Sequence, residues 1–119
     1  MTRFVVLQHV WNGVHFDVMV QRQATLKTWS LEKMIEPDQP MKARQRPDHR
    51  VIYLDFEGPV SGDRGTVRRV AGGNYRTLIW TKDRVVLQLD GPQLSGELRL
   101  EIGERGGDWS LLFRPGKVD

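Results

Sequence analysis

Residues 3–22 read RFVVLQHVWNGVHFDVMVQR, two apolar-rich segments flanking Trp11-Asn12-Gly13. The first, Phe4-Val5-Val6-Leu7, runs up to His9. In the second, Val14, Phe16, Val18 and Val20 alternate with His15, Asp17, Met19 and Gln21. Such alternation marks a strand, because successive side chains point to opposite faces. Asn-Gly is turn chemistry. The stretch therefore predicts strands over 3–9 and 14–22 joined as a hairpin, with the valine face on a core. His15 and Asp17 then share a face about 6.5–7 Å apart, and His9 lies on the neighbouring strand. Two imidazoles and a carboxylate can converge there, a donor set suited to a divalent transition metal. An amphipathic strand also needs polar residues on its wet face, so His-x-Asp alone is a weak signal.

Outward from the hairpin, residues 26–31, LKTWSL, read as a third strand. Residues 32–50 change character. Pro37, Pro40 and Pro47 interrupt any long element, and Lys42, Arg44, Arg46, His49 and Arg50 gather there. This predicts a long basic loop with at most a short helical turn. Val51–Phe56 reads as a strand, and so does Gly65–Ala71, followed by a tight turn at Gly72-Gly73-Asn74. Tyr75–Thr81, Arg84–Leu89, Gly96–Ile102 and Trp109–Phe113 complete a run of short strands. Turns are expected at Lys82-Asp83, Asp90-Gly91-Pro92 and Gly106-Gly107-Asp108. Their spacing suits an antiparallel barrel or sandwich.

The 119 residues fit one domain, 1–119, with one core. With 39% hydrophobic and 28% charged residues, a globular chain is expected rather than a disordered one. No apolar run reaches membrane-span length, and the N-terminus lacks a signal-peptide layout, so a cytoplasmic location without membrane contact is expected. There are no cysteines, which excludes disulfides and thiolate zinc sites and leaves metal binding to His, Asp and Glu. The net charge of +3 permits an anionic partner without requiring one.

Several motifs recur in order along the chain. His9 is followed after five residues by His15-Phe16-Asp17. Leu26-Lys27-Thr28-Trp29 is followed by Lys33. Asp48-His49, Tyr53 and Asp55-Phe56-Glu57-Gly58 come next, then Gly65-Thr66-Val67. Leu89-Asp90-Gly91-Pro92-Gln93-Leu94-Ser95-Gly96 and the tryptophan strand Trp109-Ser110-Leu111-Leu112 close the series. Together these resemble the 3′-phosphoesterase domain attached to bacterial DNA ligase D, which also occurs as small stand-alone proteins. The resemblance implies an all-β fold, a small antiparallel β-barrel with an open crescent-like groove. It implies manganese-dependent removal of a 3′-terminal ribonucleotide or 3′-phosphate, with DNA or RNA-terminated DNA 3′ ends as substrate and a repair ligase or polymerase as partner.

On that resemblance His9, His15 and Asp17 hold Mn²⁺, or another divalent transition metal such as Zn²⁺. His49 and Tyr53 contact the scissile phosphate, and Lys33 makes a further phosphate or primer contact. From the residues themselves, Lys33, Lys42, Arg44, Arg46 and Arg50 are candidates for a phosphate-tracking patch, with Arg64, Arg68 and Arg69 as a second basic group. Trp11 and Trp29 are candidates for stacking on a base. The chain departs from the family's usual pattern at Met19, where arginine is usual, and at Pro47, where glutamate is usual; both departures predict slower turnover. Two rivals remain at this level. One is a catalytically silent barrel that binds DNA ends or a repair partner. The other is a non-haem metal oxygenase, whose facial triad also uses His-x-Asp plus a distant His.

Overall fold

The computed structural model describes residues 2–116. Among them run nine strands: β1 (Arg3–Val10), β2 (Val14–Arg22), β3 (Thr25–Leu31), β4 (Met41–Arg50), β5 (Gly58–Pro59), β6 (Thr66–Trp80), β7 (Arg84–Asp90), β8 (Ser95–Ile102) and β9 (Asp108–Pro115). They form one antiparallel sheet in the order β1-β2-β3-β4-β9-β8-β7-β6-β5, and β1 also pairs with β6. That last pairing closes the sheet on itself, which gives the expected all-β barrel. No described helix is long and apolar enough to cross a membrane.

Closure depends on β6. Its first half pairs with β1, up to Arg3 opposite Asn74, and its second half pairs with β7 from Asn74 onward. Gly72-Gly73-Asn74, expected as a turn, lies inside this 15-residue strand. The glycines serve close approach instead. A Cβ on Gly73 would stand 2.4 Å from the Asp90 carbonyl oxygen, and Gly73 has φ +154°. Such a glycine marks a tight bend at a barrel corner.

The barrel interior is apolar throughout: Phe4, Val6, Val18, Val20, Trp29, Leu31, Leu87, Leu98, Leu100, Trp109, Leu111 and Phe113 meet there. The hairpin is buried on its other face as well. Val5, Leu7, Met19 and Leu26 form a second cluster with Leu54 and Val67. Alternation in β1 and β2 therefore separates two cores rather than a core from water. The cover over the second core is a 3-10 turn at Val51–Leu54, where a strand over Val51–Phe56 was expected. Residues i and i+3 eclipse in a 3-10 turn. Val51 and Leu54 accordingly both reach the cluster, which a strand's alternation would have prevented. The carbonyl of Leu54 accepts from Arg3 and Arg69, and Asp55 takes a two-point contact from Arg3 at 2.7 and 3.2 Å.

The basic loop expected over 32–50 is a loop only as far as Pro40; Met41–Arg50 is a strand. Its pattern hid it, because among its ten residues only Ala43 is buried. It is held by neighbours rather than by a hydrophobic face. Met41–Arg44 pair with β9, and Arg44–Arg50 pair with β3. Pro47 is accommodated by a β-bulge: Thr28 pairs Arg46 and Leu26 pairs His49, so Pro47 and Asp48 together oppose Lys27. A bulge is one of the few places in a sheet where a residue without an N–H is tolerated. Lys27 Nζ bridges to Asp48 at 2.8 Å.

Candidate metal centre

Directly opposed residues share a face of a sheet. His9 opposes His15; Leu7, Asp17, Ser30 and Arg44 form the next row across β1 to β4, and Met19, Thr28 and Arg46 the one after. This face is the outer one of the four strands, backed by the barrel interior. The bulge then matters. Arg46 and His49 are three apart and would face opposite ways in a regular strand. The extra residue returns His49 to the face of Arg44 and Arg46.

His9, His15 and Asp17 meet as expected. One donor atom from each lies within 4.8 Å of the others. Asp17 Oδ2 stands 3.2 Å from His15 Nε2 and 4.0 Å from His9 Nδ1. Two ligands bonded to one ion at about 2.1 Å stand about 3.0–4.2 Å apart, depending on the angle at the ion, so both distances to Asp17 fit a shared cation. His9 Nε2 lies 2.7 Å from the Arg64 carbonyl oxygen. A carbonyl only accepts, so Nε2 carries the proton and Nδ1 presents its lone pair to the cluster. Donation of the distal N–H to a carbonyl is how metal-binding histidines are commonly oriented. Asp17 is only 5% exposed. A strand face chosen for water would not bury a carboxylate, which needs a charge-bearing partner to be stable there.

Two hollows flank the cluster. One, of about 500 Å³, is lined by His15, Ser30, Lys42, Arg44, Arg46 and Asp108 among others. Arg46 Nε donates to Ser30 Oγ at 3.0 Å, and Arg44 bridges to Asp108 at 3.4 Å. The other, of about 130 Å³, is lined by Leu7, His9, Trp11, Asp17, Met19, His49, Tyr53, Val60, Arg64 and Val67. His49 and Tyr53 meet edge to face at 5.9 Å. They are not on one strand face, as a strand through both would require; the bulge delivers one and the 3-10 turn the other. His49 Nδ1 donates to the Pro47 carbonyl at 2.9 Å, which leaves Nε2 without a partner of its own.

The remaining sequence candidates divide. Lys42, Arg44 and Arg46 share the larger groove. Arg50 lies elsewhere, in a hollow of about 180 Å³ with Ile52, Tyr53, Phe56 and Val60. Lys33 is exposed in the loop after β3 and lines none of these three hollows. Trp29 is 1% exposed and packs edge-on against Trp109 at 5.5 Å, so it is closed to a stacking base. Arg68 and Arg69 are engaged with Gln8 and Leu54.

The sequence overlaps with known ones over most of its length. Residues 7–102 match the model of the DNA ligase D 3′-phosphoesterase domain. The chain belongs to that family. It is 27% identical over 126 residues to the multifunctional non-homologous end joining protein LigD of Pseudomonas aeruginosa, which covers 92% of this chain and 15% of the relative. The LigD protein of Mycolicibacterium smegmatis is 30% identical over 124 residues, covering 97% of this chain and 16% of the relative. The chain thus spans about one sixth of the length of the curated relatives it matches.

Met19, on the strand face of His15 and Asp17, is 2% exposed and packs in the second core. The cation that lines the smaller hollow is Arg64, pinned by donation to the Ser61 carbonyl at 2.7 Å and the Ser61 hydroxyl at 3.3 Å. Its signal was the Gly65 that follows, a glycine at a strand's entrance where another backbone comes close.

Proposed function

We propose that this protein is a divalent-metal-dependent phosphoesterase that heals 3′ ends of DNA, removing a terminal ribonucleotide or phosphate. The observation that carries this reading is the His9–His15–Asp17 cluster, half-buried histidines around a buried carboxylate, with His9 fixed by the Arg64 carbonyl. Family membership supports it, and so does a groove of three cations beside the cluster. Mn²⁺ is the proposed metal, with Zn²⁺ the alternative from the same donor set. A cation there would polarise a phosphoryl oxygen and acidify a coordinated water.

The chain's own residues supply the rest. Lys42, Arg44 and Arg46 take the backbone phosphates of the incoming strand as salt-sensitive contacts. Arg46 is held by Ser30, so less side-chain freedom is lost on binding. Arg64 neutralises charge from the hollow side. His49, oriented through Nδ1, holds a proton at Nε2 when charged and donates it to the leaving oxygen. The Tyr53 hydroxyl is a second donor on that side. For a nucleotide end, water adds to phosphorus and the P–O5′ bond breaks. The nucleoside leaves with its 5′ oxygen protonated and the strand keeps a 3′-phosphate. A second hydrolysis releases inorganic phosphate and leaves a 3′-hydroxyl.

The test is release of nucleoside and phosphate from defined 3′ ends, with and without Mn²⁺, beside calorimetric titration of the metal. Metal-dependent release that is lost in Asp17→Asn supports the reading. Binding of metal and DNA ends with no release under any metal makes the protein a silent end-binding barrel, a reading favoured by the buried Met19. No metal binding at all overturns the proposal.

A further inference from the structure

The two hollows beside the cluster differ in charge. The larger carries three cations, Lys42, Arg44 and Arg46, against two carboxylates, Glu32 and Asp108. The smaller carries one cation, Arg64, beside the cluster's own Asp17 and among Leu7, Met19, Val60 and Val67, with Trp11 at its edge. A strand that ends at the cluster has many phosphates on one side of the scissile phosphate and a single nucleoside on the other. Charge complementarity sets its direction: phosphates along the arginines, nucleoside toward the tryptophan.

Trp11 is built to receive it. It lies in the β1–β2 turn and is 45% exposed, whereas Trp29 and Trp109 are buried and Trp80 is covered by Arg22 at 4.0 Å. Its ring runs within 20° of parallel to the His9 imidazole, centroids 6.2 Å apart, so a metal-cluster residue helps set its plane. The backbone beneath is fixed. Trp11 N–H donates to the Gly13 carbonyl at 2.9 Å, and Gly65 packs so closely that a Cβ there would fall 2.7 Å from Trp11 Cβ. An exposed indole held in place loses little entropy when a base covers it, and stacking tolerates any base because each has a π-face.

We infer that Trp11 is the platform on which the base of the terminal nucleoside stacks, beyond the scissile phosphate. This rests on the phosphoesterase reading above and adds a specificity-determining residue to it. A 3′-phosphate end has no base in that position, so Trp11 favours nucleotide ends over phosphate ends.

The experiment compares wild type, Trp11→Ala and Trp11→Phe on two DNA ends, one carrying a terminal ribonucleotide and one a 3′-phosphate. The readout is the ratio of their kcat/KM values, which cancels any common effect on folding or on His9. Trp11→Ala should lower the ratio by about 5- to 150-fold, the usual worth of one stacked base, and Trp11→Phe should recover most of it. Equilibrium binding without metal is the second readout, by anisotropy with ends carrying a normal or an abasic terminal residue. Wild type should prefer the normal end and Trp11→Ala should not. A ratio changed less than twofold, or a base preference that survives in Trp11→Ala, overturns the inference alone. A wild type that neither binds nor cleaves any 3′ end overturns the phosphoesterase reading and this inference with it.

Discussion

Replacing Gly65 with alanine reaches the metal centre without touching a ligand. Gly65 has φ +78°, and a Cβ added there would stand 1.9 Å from the Val10 carbonyl oxygen. Left-handed backbone alone costs a non-glycine residue about 1–2 kcal/mol. The contact adds a displacement, since the backbone must give by about 1 Å to restore the 3.0 Å that real Cβ atoms keep. Arg64 is the preceding residue, and its carbonyl holds His9 at 2.7 Å. A shift of that size away from His9 lengthens the contact to about 3.7 Å, beyond hydrogen-bond range. His9 then loses the acceptor that fixes its tautomer, and loss of such a partner weakens metal binding by about 10- to 100-fold. The strain should also lower the melting temperature by about 4–10 °C. Calorimetric Mn²⁺ titration of the folded variant, beside thermal melting of the metal-free protein, measures both. If the melting temperature falls as expected and Mn²⁺ affinity does not, the Arg64 carbonyl does not orient His9.

Asp17→Asn should abolish Mn²⁺ binding in calorimetry while metal-free stability stays within about 1 kcal/mol, because asparagine keeps the shape and removes a buried charge; a denaturant midpoint far below wild type would mean that the carboxylate is structural. Raising salt from 50 to 200 mM should weaken DNA-end binding at least tenfold by anisotropy, and Arg46→Ala should reduce the slope of log affinity against log salt by about one contact's worth. An unchanged slope would remove Arg46 from the phosphate track. The hydrogen bond from Arg3, with its charge and that of Arg69, holds the Asp55 carboxyl below its ordinary value. A depressed carboxyl contributes stability above its unfolded pKa of about 3.9 and loses it as pH falls through the folded value. Wild type and Asp55→Asn should therefore differ in denaturant midpoint at pH 6 and converge below about pH 4; a difference that persists at pH 2 would assign the effect to something other than the ion pair.

What was legible in the chain was whatever alternates against a core. The hairpin and the strands from Tyr75 onward follow from period two, and His9, His15 and Asp17 converge because the hairpin register is fixed by a two-sided core. Strand β4 could not be read this way. Its residues are mostly exposed on both faces, so hydrogen bonds to β3 and β9 decide its conformation and leave no hydrophobic trace. Val51–Leu54 failed for the opposite reason: a β-branched, aromatic run satisfies strand propensity, while Val51 and Leu54 both have to cover Leu7 and Met19. Gly72-Gly73 carried turn chemistry into a place where two backbones nearly touch. Lys33 lines neither hollow beside the site although it comes soon after β3, because the chain leaves the sheet after Leu31. Arg64 could be read only as one of a basic group, because its contact with His9 comes from a backbone carbonyl, which no side-chain motif encodes.

The bulge at Pro47-Asp48 has a consequence for how this strand stores information. Deleting either residue would restore regular pairing with β3 and keep every catalytic candidate in the chain. His49, then two positions after Arg46, would still share the face of Arg44 and Arg46, because period two does without a bulge what three steps achieve only with one. What the deletion would remove is local: Asp48 is the partner of Lys27, and the Pro47 carbonyl accepts from His49 Nδ1. A relative with one residue fewer between the arginine and the histidine would therefore keep both on one face with no bulge at all, whereas one residue more or fewer within a regular strand elsewhere would turn half of the site over.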